Sequence, residues 1–339
     1  MFSAGLWPIL AAVLSAVTCL IATGVLRRRL IAAAIVDHSN DRSSHVGTIP
    51  RGGGLAFIVV SMATIAASTL VVDYSVEMVL TLALAANAVA AVGAIDDVRG
   101  LSAGVRMVIH LLAGAALAWV WICGNAPLDW SFWHVTAAGI TFTLTTAWII
   151  NLTNFMDGID GLAASSGILI ITAVGVCAWL HGDTALCTAC AAVSGAVTGF
   201  LPWNLSVTRR IFMGDAGSGF LGFAIATALA LAWRSEAIGA AAVFILPSVL
   251  VTDATVTLGI RALRGERVTA AHRSHAYQHL SQQWGAHRPV TALYAGATLL
   301  WSIPIAAASV AWPALSVMML CLAYAPLVVA AILLRAGRR

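Results

Sequence analysis

Eleven apolar runs, each about as long as a bilayer is thick, constrain this chain more than any other feature. They fall near residues 4–25, 53–72, 76–94, 104–123, 132–150, 163–181, 184–201, 217–233, 237–260, 289–310 and 313–334. A helix rising 1.5 Å per residue needs about 20 apolar residues to cross a hydrocarbon core of about 30 Å. Only helices and closed barrels satisfy their backbone groups in lipid, and runs of this length predict helices. The expected fold is therefore all-α: a polytopic integral membrane protein with about eleven spans, or ten if one fails, in a single domain over 1–339. Only 9% of the residues are charged, against about 25% in soluble domains. The first run lacks a basic segment before it and has arginines after it, so it is expected to be retained rather than cleaved as a signal peptide.

The arginines orient the spans. All 18 basic residues are arginine. Numbering the runs from an external N-terminus gives one side 26–52, 95–103, 151–162, 202–216, 261–288 and the tail. Every arginine but Arg234 belongs to that side, Arg106 lying just inside its helix. Positively charged loops stay in the cytoplasm, which predicts an N-out, C-in protein with its chemistry on the cytoplasmic face. The opposite loops, such as "DYSVE" and "HGDT", read as connectors.

The cytoplasmic loops also gather carboxylates, which that rule does not explain. Carboxylates beside a bilayer are unfavourable, and adjacent pairs such as Asp96 and Asp97 repel each other unless a cation or a shifted pKa relieves them. In "NLTNFMDGIDGL" four polar groups recur every third residue: Asn151, Asn154, Asp157 and Asp160. On an α-helix they would fan across half a turn, whereas a 3₁₀ turn would stack them. Helix capping needs one such residue, not four. "IFMGDAGSGF" sets Asp215 among glycines before a span, as for an anion or a metal-bound phosphate; an N-cap followed by small packing residues is the alternative. "AHRSHAYQH" offers His272, Arg273, His275 and His279, either contacts to phosphate or a solvated loop. His275 and His279 have zinc-pair spacing without a third ligand. "DHSNDRSSHVGTIPRGGG" carries Asp37, His45 and Arg51, equally compatible with lipid headgroups. Cys187 and Cys190 make one CxxC inside a span, a weak metal signal.

Five stretches in order, "DHSNDRSSHVGTIPRGGG", "DDVRGL", "NLTNFMDGIDGL", "FLPWN" with "IFMGDAGSGF", and "AHRSHAYQ", give the chain a resemblance to the polyprenyl-phosphate N-acetylhexosamine-1-phosphate transferases. The resemblance covers about residues 36–290. It implies transfer of N-acetylhexosamine-1-phosphate from a UDP-sugar to undecaprenyl phosphate, with release of UMP. It implies Mg²⁺, with Mn²⁺ as an alternative, held by Asp215 and Asn154. It implies catalytic roles for Asp96, Asp97, Asp157 and Asp160. Substrate contacts are implied for Asn151, Asn204, His272, Arg273 and His275, and His45 and Arg51 join them. The partners expected are the two substrates and the bilayer of a bacterial inner membrane, with a homodimer as one assembly and no nucleic acid. The missing run of adjacent histidines points away from the peptidoglycan branch and toward the enzymes that start O-antigen or other surface polysaccharides. Ser39 departs from the proline usual there. A transporter, which places ionisable groups near mid-bilayer, is the competing class. Its candidates would be His110 and Asp253, and no internal repeat is visible.

Overall fold

In the computed structural model, residues 4–33, 36–38, 48–125, 131–208, 210–270 and 272–338 are described. The helices are α1 (Trp7–Ala32), α2 (Gly54–Ser68), α3 (Val76–Arg99), α4 (Ala103–Asn125), α5 (Phe132–Phe155), α6 (Leu162–Leu180), α7 (Thr184–Asn204), α8 (Gly214–Arg234), α9 (Ala240–Ile245), α10 (Ser248–Leu263), α11 (Ala276–Trp284), α12 (His287–Ala297), α13 (Ile303–Ala311) and α14 (Ser316–Leu333). A short antiparallel ribbon, β1 (Val36–His38) with β2 (Thr48–Pro50), pairs Asp37 with Ile49.

Among the described residues nine helical segments are long and apolar enough to cross a membrane, and α2 is a shorter apolar tenth. The run at 237–260 is broken at Leu246–Pro247 into α9 and α10, since proline cannot supply the amide that a continuous helix needs there. Helices α12 and α13 join through a π turn, Thr298–Ser302, into one segment, His287–Ala311.

Several helices overrun their apolar runs at one end. α1 continues through Arg27, Arg28 and Arg29; α3 carries Asp96 and Asp97; α5 carries Asn151 and Asn154; α7 ends on Asn204. The segments 95–103, 151–162 and 202–216 are thus partly helix rather than loop. Apolar patterning stops where lipid stops, but backbone hydrogen bonding continues, so rigid turns project the polar residues.

α8 is the hub: it packs against α2, α3, α5 and α6, and most of its central window is buried. A helix apolar on all faces belongs in such a position. Glycines let neighbours approach its N-terminal end. A Cβ on Gly93 of α3 would lie 2.5 Å from the Ala216 nitrogen, and one on Gly54 of α2 would lie 2.3 Å from the Gly217 Cα. Close backbone approach through small residues is the common solution in membranes, and here it brings three chain segments to one helix start.

Candidate active site

The site forms where α3, α5 and α8 meet the segment before α2. Residues 50–54 run beside 212–213: Phe212 N–H donates to the Pro50 carbonyl (2.9 Å), and Gly53 and Gly54 donate back to Phe212 and Met213 (2.8 and 2.9 Å). This pairing fixes Arg51 beside Asp215. Arg51 donates from Nε to Asp97 (2.7 Å) and from its terminal nitrogen to Asp215 (2.8 Å). Arg106, in the first turn of α4, bridges Asp96 (2.5 Å) and Asp215 (3.2 Å). Asp97 also accepts the backbone N–H groups of Asp215 (2.9 Å) and Ala216 (3.3 Å), capping α8 from another helix. A carboxylate there satisfies two of the unpaired N–H groups at the helix start and sits favourably on its dipole.

The ladder at 151–160 divides. Asn154 Nδ2 donates to Asp215 Oδ1 (3.1 Å) and Ser218 Oγ (3.0 Å). The chain then leaves the α-helix through one tighter turn, Asp157 N–H to the Asn154 carbonyl. The Asp157 carboxyl makes no hydrogen bond or ion pair among the described residues. Burial pushes its carboxyl well above the usual range; Asp215, Asp97 and Asp160 add to this, and Arg51 opposes it. Asn151 lies a turn back and faces α4: its Nδ2 donates to His110 Nδ1 (3.0 Å) and the Ala147 carbonyl (2.7 Å). Asp160 lies beyond, paired with Arg210 (3.1 Å) and His287 (3.0 Å).

Two expected substrate contacts have other occupations. Asn204 is buried, its carbonyl accepting the Gly161 N–H (2.7 Å) and its amide donating to the Ile211 carbonyl (3.0 Å). Both ends of its side chain thus hold backbone, which places it as a brace between 161 and 211. His275 is buried and donates from Nδ1 to Asp253 (3.3 Å). His279 instead donates to the Arg338 carbonyl (3.1 Å), so the i,i+4 zinc spacing is not used. Cys187 and Cys190 are free thiols. His45 lies outside the described residues.

Asp253 anchors the histidine loop. It accepts the N–H groups of Ala276 (2.9 Å) and Tyr277 (3.0 Å), the Tyr294 hydroxyl (2.5 Å) and His275. Tyr277 then donates its hydroxyl to the Phe155 carbonyl (2.8 Å), in a gap that exists only because residue 158 is glycine, whose Cβ would lie 2.0 Å from that oxygen. His272 packs against the His275 ring, 4.9 Å between centroids, and burial with the neighbouring His275 and Arg261 charges pushes it down to about 4. Arg273 is exposed. Asp253 and His110, which a transporter would place along a solute path, are thus tied to the loop anchor and to Asn151.

Arg51, Asp96, Asp97, Asn154, Asp157 and Asp215 therefore converge, with His272 and His275 alongside. Arg106 and Arg210 are the residues that sequence reasoning assigned no role in a site, and Asp253 was weighed there only as a group on a transporter's path. For Arg106 the signal was an arginine placed inside an apolar helix start, counted only toward orientation. Three carboxylates meet two guanidinium groups here with the Asp157 carboxyl beside them, an excess of hard oxygen donors that fits a divalent cation. Among the described residues no three acidic or histidine side chains close on one point, and the arginines occupy oxygens of Asp96, Asp97 and Asp215.

The sequence profile of glycosyl transferase family 4 matches residues 78–233, which carry all of this cluster except Arg51. A probable undecaprenyl-phosphate N-acetylglucosaminyl 1-phosphate transferase of Bacillus subtilis is 29% identical over 292 residues, covering 83% of this chain and 79% of the relative. A decaprenyl-phosphate N-acetylglucosaminephosphotransferase of Mycolicibacterium smegmatis is 31% identical over 316 residues, 81% of this chain and 75% of that one. An undecaprenyl-phosphate alpha-N-acetylglucosaminyl 1-phosphate transferase of Escherichia coli O157:H7 is 31% identical over 202 residues, covering 56% and 53%. With similarity reaching across four fifths of its length and the acidic cluster assembled at one end of its bundle, the chain belongs to the polyprenyl-phosphate N-acetylhexosamine-1-phosphate transferase family.

Proposed function

We propose that the protein transfers N-acetylhexosamine-1-phosphate from a UDP-N-acetylhexosamine to undecaprenyl or a related polyprenyl phosphate. We place this reaction at the cytoplasmic face of a bacterial inner membrane, as the first step of O-antigen or other surface-polysaccharide synthesis. The observation that carries the reading is the convergence of Asp96, Asp97 and Asp215 on Arg51 and Arg106 at the arginine-rich end of the bundle, with the Asp157 carboxyl close enough to feel their charges. Both substrates bring phosphates to one point, and a site for them needs fixed positive charge together with a cation.

The acceptor phosphate oxygen forms a bond to the β-phosphorus of the UDP-sugar as the bond from that phosphorus to the UMP oxygen breaks. Arg51 and Arg106, held in place by their carboxylates, meet charge on the phosphoryl oxygens through charge-assisted hydrogen bonds. Asp97 keeps the start of α8 fixed, so that Asp215 stays aimed at the same point. Asp157, whose carboxyl makes no hydrogen bond or ion pair among the described residues, is the acidic group left to meet the incoming acceptor. His272 and Arg273, on the loop anchored by Asp253, reach the diphosphate from the other side. Asp215 and Asn154 would hold Mg²⁺, which when bound neutralises pyrophosphate charge. The purified protein with undecaprenyl phosphate, Mg²⁺ and a panel of UDP-amino sugars should release UMP. Absence of UMP with every sugar, or release that does not require the lipid phosphate, would overturn the reading.

A further inference from the structure

α2 is too short for the membrane it stands in. Its 15 residues rise about 22 Å, against a hydrocarbon core of about 30 Å. Beside its last turns, at the end of the bundle opposite the acidic cluster, lies a cavity of about 350 Å³. Met62 and Ile65 of α2, Leu82 of α3 and Phe223 of α8 line its body, and α2 and α3 scarcely touch each other although both pack on α8. The cavity follows α8 from Phe220 to Arg234, a rise of about 21 Å. An apolar void of this length beside lipid is a slot for a hydrocarbon chain. Thr227 lines it too, and its buried Oγ1 makes no hydrogen bond among the described residues.

The mouth is not apolar. Arg234, the one arginine at this end among the described residues, lines it with its guanidinium 3.5 Å from the Met78 sulfur, and Asp183 lines it too, its Oδ1 accepting the Leu186 N–H. Asp73, Glu77 and Glu236 are exposed on the same face. One cation among several carboxylates disfavours a purely anionic headgroup. It suits a phosphate that carries its own ammonium, the phosphate toward Arg234 and the ammonium toward the carboxylates.

We infer that this cavity is a lipid site, distinct from the acidic cluster, that takes one acyl chain of phosphatidylethanolamine with its headgroup between Arg234 and Asp183. The site does not depend on the reaction proposed above, so its failure would leave that reading untouched.

Native mass spectrometry of the purified full chain tests it, after exchange into micelles holding equal amounts of phosphatidylethanolamine and phosphatidylglycerol with the same acyl chains. We expect one phosphatidylethanolamine per chain to survive washing, at least fivefold more abundant than bound phosphatidylglycerol. Ala224→Trp, which fills the cavity, should remove it. Arg234→Ala, at the mouth, should cut retention at least threefold without filling anything, and it covers the case in which the tryptophan variant fails to fold. Wild-type protein that retains no lipid, or equal retention by wild type and Arg234→Ala, would overturn the site. A preference for phosphatidylglycerol would overturn the headgroup assignment.

Discussion

Asp215 is the residue on which most of the site turns, because it touches both arginines and Asn154. Asp215→Asn keeps the shape and removes the charge. The expected outcome is a fall in turnover of about 100-fold or more, the scale of losing one preorganised electrostatic group, with weakened dependence on Mg²⁺. A metal titration of UMP release that matches wild type would remove Asp215 as a ligand. Asp97 differs, since its oxygens already serve Arg51 and two α8 amides. Asp97→Ala should therefore lose turnover and also about 1 kcal/mol of stability, as for a lost helix cap, readable as a lower Tm in detergent. The sequence made both residues conspicuous, because carboxylates beside lipid demand a reason. It could not distribute the roles, because the four polar residues Asn151, Asn154, Asp157 and Asp160 share a spacing, yet Asn151 faces α4, Asn154 and Asp157 reach the Asp215 cluster, and Asp160, past the helix end at Phe155, pairs with Arg210 and His287. Asn204 looked equally functional in sequence, and only the fold shows both ends of its amide bound to backbone.

At the scale of elements, the anchoring of the 264–275 loop is the feature with the clearest consequence. A buried carboxylate in α10 gathers two amides at the start of α11, a tyrosine from α12 and His275. Asp253→Ala would orphan these donors at about 1–3 kcal/mol each where they stay buried. The loop should then detach: faster protease cleavage between 264 and 275, and a KM for UDP-sugar that rises more than kcat falls. Cleavage and kinetics like wild type would deny Asp253 its anchoring role. The crossing of α3 on α8 makes a second case. Gly93→Val would drive a side chain into the Asp215–Ala216 backbone, and the expected result is inserted, monodisperse protein with little UMP release. The sequence showed that spans exist but not where their helices end, because apolar patterning reports the lipid and not the hydrogen-bond ladder. The break at Leu246–Pro247 was legible in its proline. The shortness of α2 was not, because its apolar run continues into the turns after Ser68.

Across the whole molecule, one structural fact ties the histidine loop beside the acidic cluster to the C-terminal tail. The C-terminal tail packs on the histidine loop: Gly337 N–H donates to the Ser274 carbonyl (2.7 Å), and Arg338 accepts from His279. The site and the C-terminus therefore share one end of the bundle, the end to which every arginine but Arg234 was assigned from sequence alone. An odd number of crossings sends the two termini to opposite sides: eleven crossings, the nine long segments with α2 and the broken α9–α10, would carry the N-terminus away from the site. Nucleotide sugars are made in the cytoplasm, and the positive-inside bias points the same way. A C-terminal green fluorescent protein fusion should fluoresce, and a C-terminal alkaline phosphatase fusion should be silent. The same two reporters placed at the N-terminus should give the reverse. An active C-terminal phosphatase would put Asp96, Asp97 and Asp215 outside, out of reach of a UDP-sugar, and would sink the proposed reaction however well the residues fit it. Phosphatase activity at neither terminus would mean an even number of crossings, and the first segment to doubt would then be α2, whose 15 residues are the fewest of any single helix proposed to span.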